Sequence, residues 1–180
     1  MSYPEKFELV VSAQKIQEMV ADLGRKIQAS YAETDALVCV GVLKGAWIFH
    51  ADLVRQIKRP VIVDFIRATS YGNKTQTSGV VRILKDIEVD IRDKHVLLIE
   101  EIVDSGRTLS FIKQRLENGG ALSVKIVALL DKKERREVPC TPDFCGTEVA
   151  NDFLVGYGLD WGENYRNLDG IYRVPGEALR

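Results

Sequence analysis

Residues 96–109 read VLLIEEIVDSGRTL, an aliphatic run followed by two glutamates, two further aliphatics, an aspartate and then Ser-Gly-Arg-Thr. The run reads as a buried strand, and TLSFIKQRLENGG after it as a helix that ends at Asn118-Gly119-Gly120, where glycine can take left-handed backbone. The stretch is therefore a strand, a polar turn and a helix, with carboxylates gathered where the strand runs out.

The same unit recurs outward from it. ALVCVGV, residues 36–42, is a continuous apolar run too short for a helix, and LKG separates it from a helical GAWIFHADLVRQI. PVIVDFIRA, VVRILKDI and SVKIVALLD read as further strands, and Ser12 can cap a helix whose Ile16, Val20, Leu23 and Ile27 share one face. Alternating strands and helices predict an α/β fold, a mostly parallel central sheet flanked by helices, with ligands beyond the carboxyl ends of the strands. LKG, EEIVDSGRT and LDKKERR all fall at such ends. SYGNKTQTSG, residues 70–79, is a long polar loop without periodicity and is expected to be a lid. In the C-terminal third, PDFCGTEV, DFLVGYGLDW and NYRNLDGIYRV read as short strands and turns, expected to belong to a small hood that chain-terminal segments form over the sheet.

A chain of 180 residues that is 46% hydrophobic is expected to form one domain, 1–180. A formal charge of −1 gives no electrostatic footprint for nucleic acid and favours a small-molecule partner. Cys39, Cys140 and Cys145 show no zinc or paired spacing, and His50 and His95 are the only histidines, so reduced thiols in a cytoplasm are expected. MSYPEKFELVVSAQ has no basic segment followed by an apolar one, and no apolar run reaches membrane-spanning length, so a soluble intracellular protein is expected.

At the junction, the backbone N–H groups of a helix start and its dipole favour an anion, and the hydroxyls of Ser105 and Thr108 flank Gly106. Asp104 to Thr108 thus reads as a phosphate cradle; taken alone, the five residues fit an ordinary capped turn equally well. Neither GxxxxGK[ST] nor GxGxxG occurs, which removes support from triphosphate hydrolysis and dinucleotide binding. Glu100 and Glu101 repel one another unless something compensates them, and a hard cation with sugar hydroxyls does so. Mg²⁺ and a sugar phosphate are the chemistry this pattern suits.

VLLIEEIVDSGRTL also resembles the signature of phosphoribosyltransferases that bind 5-phosphoribosyl 1-diphosphate (PRPP). With GVLKGAWIFHADLVRQI, DFIRATSYGNKTQTSG, VRILKD, LLDKKERR, PDFCG and DFLVGYGLDWGENYRNL in order, the chain is similar, over nearly its whole length, to the hypoxanthine (guanine) phosphoribosyltransferases of the type I fold. It departs from their commoner pattern at Glu101, often Asp, and at Trp161, often Tyr.

The resemblance implies roles. Glu100 and Glu101 hold the ribose hydroxyls and help place Mg²⁺, and Asp160 contributes to a second Mg²⁺ site. Ser105, Gly106, Arg107 and Thr108 hold the 5-phosphate. Lys44 and Gly45, in a loop with a cis peptide, and Arg166 bind the diphosphate. Asp104 is the general acid/base near N7 of the purine, a position where proton management is required. Lys132 donates to O6, which rewards a 6-oxo over a 6-amino base; Lys133 reads as a solvated neighbour. Phe153 stacks on the purine, the Leu154 backbone meets its edge, Asp160 also belongs to the purine-binding set, and Ser70 and Tyr71 belong to the lid. The implied partners are PRPP with hypoxanthine or guanine, in a cytoplasmic homodimer or homotetramer with no nucleic acid or membrane. An RNA-binding regulator on the same fold is the rival reading, and it calls for a basic face that this near-neutral chain does not advertise.

Overall fold

In the computed structural model, which describes residues 7–71 and 80–176, the aliphatic run becomes strand β5 (His95–Val103). Val96, Leu97, Leu98 and Ile99 are completely buried in it. Both edges of β5 are paired, with β2 (Leu37–Val42) on one side and β6 (Ser123–Asp131) on the other, all parallel. Leu97 and Ile99 pack into a layer with helices α1 (Ala13–Ala29) and α2 (Trp47–Val54), whereas Val96 and Leu98 meet Ile112 and Leu116 of helix α3 (Arg107–Asn118). A strand covered on both faces must be apolar at every position, which is why its period of two is invisible in the sequence.

Among the described residues the main sheet has the order β4–β3–β2–β5–β6–β7, with β3 (Ile62–Tyr71), β4 (Val80–Lys85) and β7 (Phe144–Glu148). Its neighbours are parallel except for the β3–β4 pair. Ser12 caps α1 as expected, its Oγ accepting from Lys15 N–H at 3.2 Å. Ile16, Val20, Leu23 and Ile27 are each at most 3% exposed, and each such burial is worth about 1.5–3 kcal/mol. At the end of α3 the left-handed residue is Gly120 (φ 89°).

One expectation is corrected. PDFCGTEV does not join the hood: its strand β7 extends the main sheet, pairing Phe144 with Val127. Asp143 pins that edge, its carboxylate accepting from Ile126 N–H at 2.8 Å while its own N–H donates to Ile126 O at 2.9 Å. The hood is built, as expected, from chain-terminal segments: β1 (Glu8–Val11) pairs antiparallel with β9 (Ile171–Arg173), which pairs with β8 (Leu154–Val155). Val11, Leu154, Tyr157 and Ile171 share a core with α1 and α2, so hood and sheet are packed together. The expected lid falls largely outside the described residues: the Ser70 and Tyr71 backbones pair with Val81 and Val80, while residues 72–79 and those two side chains are not described.

One buried carboxylate ties the antiparallel edge to the path into β5. Asp64 Oδ2 accepts from the N–H groups of Glu88 (2.6 Å) and Val89 (3.0 Å), and Oδ1 from Phe65 N–H (2.6 Å) and Lys85 Nζ (3.3 Å). Burial by itself would raise this carboxyl, but the backbone donors and Lys85 outweigh it and hold Asp64 below its ordinary 3.8. Asp64→Ala should therefore cost about 2–4 kcal/mol at neutral pH in urea unfolding, since buried donors lose their acceptor. A lowered carboxyl stabilises only when ionised: its contribution is complete above 3.8 and is lost as the pH falls through the lower folded value. The variant should lack that part of the acid-induced loss of stability.

Candidate active site

β2 pairs with β5 no further than Gly41 opposite Ile99, so Glu100 and Glu101 run past their neighbour into a gap at the sheet's carboxyl edge. This explains how carboxylates stand in an otherwise apolar strand. The chain leaving β2 turns through Leu43-Lys44, whose peptide bond is cis, and brings Gly45 against Glu101. A Cβ on Gly45 would overlap the Glu101 carboxylate. Gly158 (φ 103°) also lies close against Gly45, and a Cβ there would overlap the Gly45 carbonyl oxygen. The longer glutamate at 101 thus fits because the loop facing it has no side chain.

These ends enclose a cleft of about 300 Å³ lined by the 42–45 loop, Glu100, Glu101, Asp104, Ser105, Gly106, Thr108, Asp160 and Arg166. Residues more than a hundred positions apart are brought together there. Arg107 is not among them: its Nε donates to Glu137 Oε2 at 2.5 Å, directing the side chain away. A larger hollow of about 550 Å³, by Asp86, Phe111 and Arg115, contains none of the expected residues.

Helix α3 opens at Gly106 (φ 81°), where no side chain caps the helix. A Cβ at Gly106 would stand 2.6 Å from Cys140 Cβ, so both conformation and space require glycine. The uncapped first turn faces the cleft with Ser105 and Thr108 beside it, an arrangement suited to an oxyanion. Ser105 Oγ accepts weakly from Arg107 N–H at 3.4 Å, and its carbonyl accepts from Glu137 N–H at 3.0 Å.

The charges in the cleft are interlocked. Burial, and then the charge of Glu101, push Glu100 well above the ordinary glutamate value. Burial also raises Glu101, against its hydrogen bond with Glu100 and the pull of Arg166. Arg166, only 19% exposed, donates to Gly158 O (2.7 Å) and pairs with Asp160 (2.8 Å) and Glu163 (3.3 Å). Lys44 meets the same Glu163 at 2.8 Å. Arg135 Nε lies 3.2 Å from Asp104 Oδ1 in an ion pair that lacks hydrogen-bond alignment.

The residues expected to meet a purine form the adjoining rim. Lys132 is buried at the end of β6, its N–H donating to Val103 O and its Nζ to Asp152 O at 2.6 Å. Burial pulls its ammonium below the ordinary lysine value, while the Asp104 charge opposes that shift. Next to Asp152, Phe153 is 40% exposed with Trp161 edge-on at 6.5 Å, and Leu154 is buried in β8. Lys133, paired with Glu148, is mostly exposed as expected.

Could these residues hold Mg²⁺? Glu101 Oε2 is buried with no hydrogen-bond partner among the described residues, and Glu100 stands beside it. A pair of hard oxygen donors fits an ion that takes one or two carboxylates and completes its shell with waters and substrate oxygens. Among the described residues no three His, Cys, Asp or Glu side chains converge as a ready ligand set, and Asp160 is engaged by Arg166.

An uncapped helix start, an acidic strand end and a cationic rim at the carboxyl edge of a parallel sheet define an α/β protein built to hold a sugar phosphate. The sequence matches the phosphoribosyl transferase domain over residues 10–161, and the chain belongs to this family. It is 45% identical to a hypoxanthine-guanine phosphoribosyltransferase of Aquifex aeolicus over 94% of this chain and 96% of that protein. A Bacillus subtilis protein of the same name is 44% identical over 89% of each chain. The solved structure of a hypoxanthine phosphoribosyltransferase from Staphylococcus aureus superposes with a TM-score of 0.92 at 37% identity, covering 96% of this chain and 94% of that one.

Glu163 and Gly158 are the residues that sequence reasoning missed. An acid three residues before Arg166 was the available signal for the first, and the second lies unremarked in GYGLD. The two glycines around the 43–45 loop should respond differently to a methyl group. Gly158→Ala meets backbone and needs a left-handed φ, so it should lose about 1–3 kcal/mol or more in thermal unfolding. Gly45→Ala meets the end of the Glu101 side chain and should displace that carboxylate with a smaller loss of stability.

Proposed function

We propose that this protein is a hypoxanthine phosphoribosyltransferase of purine salvage, a single domain spanning 1–180. It transfers the 5-phosphoribosyl group of PRPP to N9 of hypoxanthine, and of guanine, releasing pyrophosphate. The observation that carries this reading is the cleft that joins the carboxylates of β5 to the open start of α3, with buried Lys132 bonded to Val103 O at the same strand end and to the Asp152 carbonyl next to exposed Phe153. Relatives so named, at 44–45% identity over most of the chain, support the same activity.

In this reading the backbone N–H groups at the start of α3, with Ser105 and Thr108, hold the 5-phosphate. Glu100 and Glu101 accept from the ribose hydroxyls. Mg²⁺ held at this pair supplies positive charge to the diphosphate and relieves the repulsion between the two carboxylates. Lys44 and Arg166 bind the departing diphosphate, the guanidinium through its planar fork. Asp104, at the cleft's edge, takes the proton at N7 as N9 attacks C1 of the ribose. Phe153 offers its open ring as a stacking platform, and the desolvated Lys132 ammonium donates to O6. A 6-amino group would leave that donor unmatched, which disfavours adenine. Ser70 and Tyr71 belong to the lid that excludes water from the ribosyl centre. A cytoplasmic homo-oligomer is the working form under this reading, and exposed apolar side chains such as Trp47 and Phe111 offer surface for self-association.

The decisive assay follows absorbance with PRPP, Mg²⁺ and each of hypoxanthine, guanine, xanthine and adenine. Turnover of hypoxanthine and guanine but not adenine is expected; no turnover of any oxopurine would remove the proposal. Asp104→Asn should lower kcat by about a hundredfold or more with the KM for PRPP within a few-fold, the pattern of a lost acid/base group. Lys132→Ala should raise the KM for hypoxanthine and narrow the preference for 6-oxo over 6-amino bases; unchanged selectivity would mean that O6 is read elsewhere.

A further inference from the structure

We infer that Glu163 is an internal competitor of the diphosphate, a carboxylate that occupies the two cations the diphosphate needs. This rests on the reading of Lys44 and Arg166 as the diphosphate ligands. One oxygen, Glu163 Oε2, is met by Lys44 Nζ at 2.8 Å and by Arg166 Nη2 at 3.3 Å. The cations reach it from separate parts of the fold, Lys44 from the loop after β2 and Arg166 from the end of the 158–166 segment. An anionic oxygen shared between an ammonium and a guanidinium makes the contacts a diphosphate oxygen would make.

The backbone delivers Glu163 to this point. Its φ of 69° lies in the left-handed region, uncommon for a residue with a side chain, and its N–H donates to Asp160 Oδ2 at 2.9 Å. Trp161 and Asn164 exchange backbone hydrogen bonds across it, closing a tight turn. The side chain itself is 63% exposed, and among the described residues its only side-chain partners are the two cations. Lys44, then Arg166, hold its carboxyl below the ordinary glutamate value, and it is ionised at neutral pH. When the diphosphate arrives, the carboxylate must leave the same nitrogens. Glu163 therefore weakens substrate and product alike, which favours release of pyrophosphate at the end of the reaction.

Calorimetric titration with inorganic pyrophosphate in excess Mg²⁺ tests this on wild type, Glu163→Gln and Glu163→Asp. Removing the charge while keeping the shape should tighten pyrophosphate binding about fivefold, as expected for loss of an exposed pairing. The KM for PRPP should fall in the same sense and the KM for hypoxanthine should not move. A merely structural role for Glu163 predicts weaker binding, so an unchanged or raised Kd in Glu163→Gln overturns the inference. Glu163→Asp keeps the charge and should stay nearer wild type; tightening as large as that of Glu163→Gln would also overturn it. Failure of the wild type to bind pyrophosphate is a separate outcome, and it overturns the assignment of Lys44 and Arg166 as diphosphate ligands.

Discussion

The site depends on one contact, the packing of the Glu101 carboxylate against the bare Cα of Gly45, with Gly158 close against the same glycine. Each partner comes from a different part of the fold: the end of β5, the loop after β2 and the turn between β8 and β9. Because two of the three positions have no side chain, the loop and the turn approach the acidic strand end closely enough for Lys44, Asp160 and Arg166 to border one cleft with it. A methyl group at either glycine would need that approach to widen.

The second organising constraint is charge. The cleft gathers Glu100, Glu101, Asp104, Asp160 and Glu163 around Lys44, Arg135 and Arg166, and most of these are held by an opposite charge. The β5 pair is the exception: burial raises both carboxyls, the charge of Glu101 raises Glu100 further, and an oxygen of Glu101 has no hydrogen-bond partner among the described residues. A pair so disposed is where an added cation gains most. The remaining groups are compensated by one another, so a substrate with several anionic centres enters by exchanging partners.

How far the sequence could be read follows from whether an interaction is local. The strand-turn-helix at 96–118 was legible because aliphatic runs, a glycine start and a glycine stop act within a few residues. Ser12 and the α1 stripe were legible for the same reason. The particular strand pairing of the hood was not legible because β1 pairs with β9 across about 160 residues, and nothing in FELVV by itself names such a partner. PDFCGTEV was misassigned because a short strand carries no mark of which edge it will join; Asp143 and Phe144 settle that only once Ile126 and Val127 are in place. Arg107, inside the motif, was expected at the phosphate, yet the helix turns its side chain toward Glu137.

By itself, the sequence determined a parallel α/β sheet, its functional edge, and an acidic strand end joined to an anion-binding helix start, since each rests on periodicity, capping or neighbouring charges along the chain. Resemblance of its ordered blocks added the purine and the transfer reaction. Only the tertiary structure decided that Gly45 and Gly158 make room for Glu101, that buried Lys132 reaches the Asp152 carbonyl next to Phe153, and that Lys44 and Arg166 share one oxygen of Glu163. Those are contacts between segments far apart in the chain, set by how strands end and loops fold back, and no local pattern encodes where two such ends will meet.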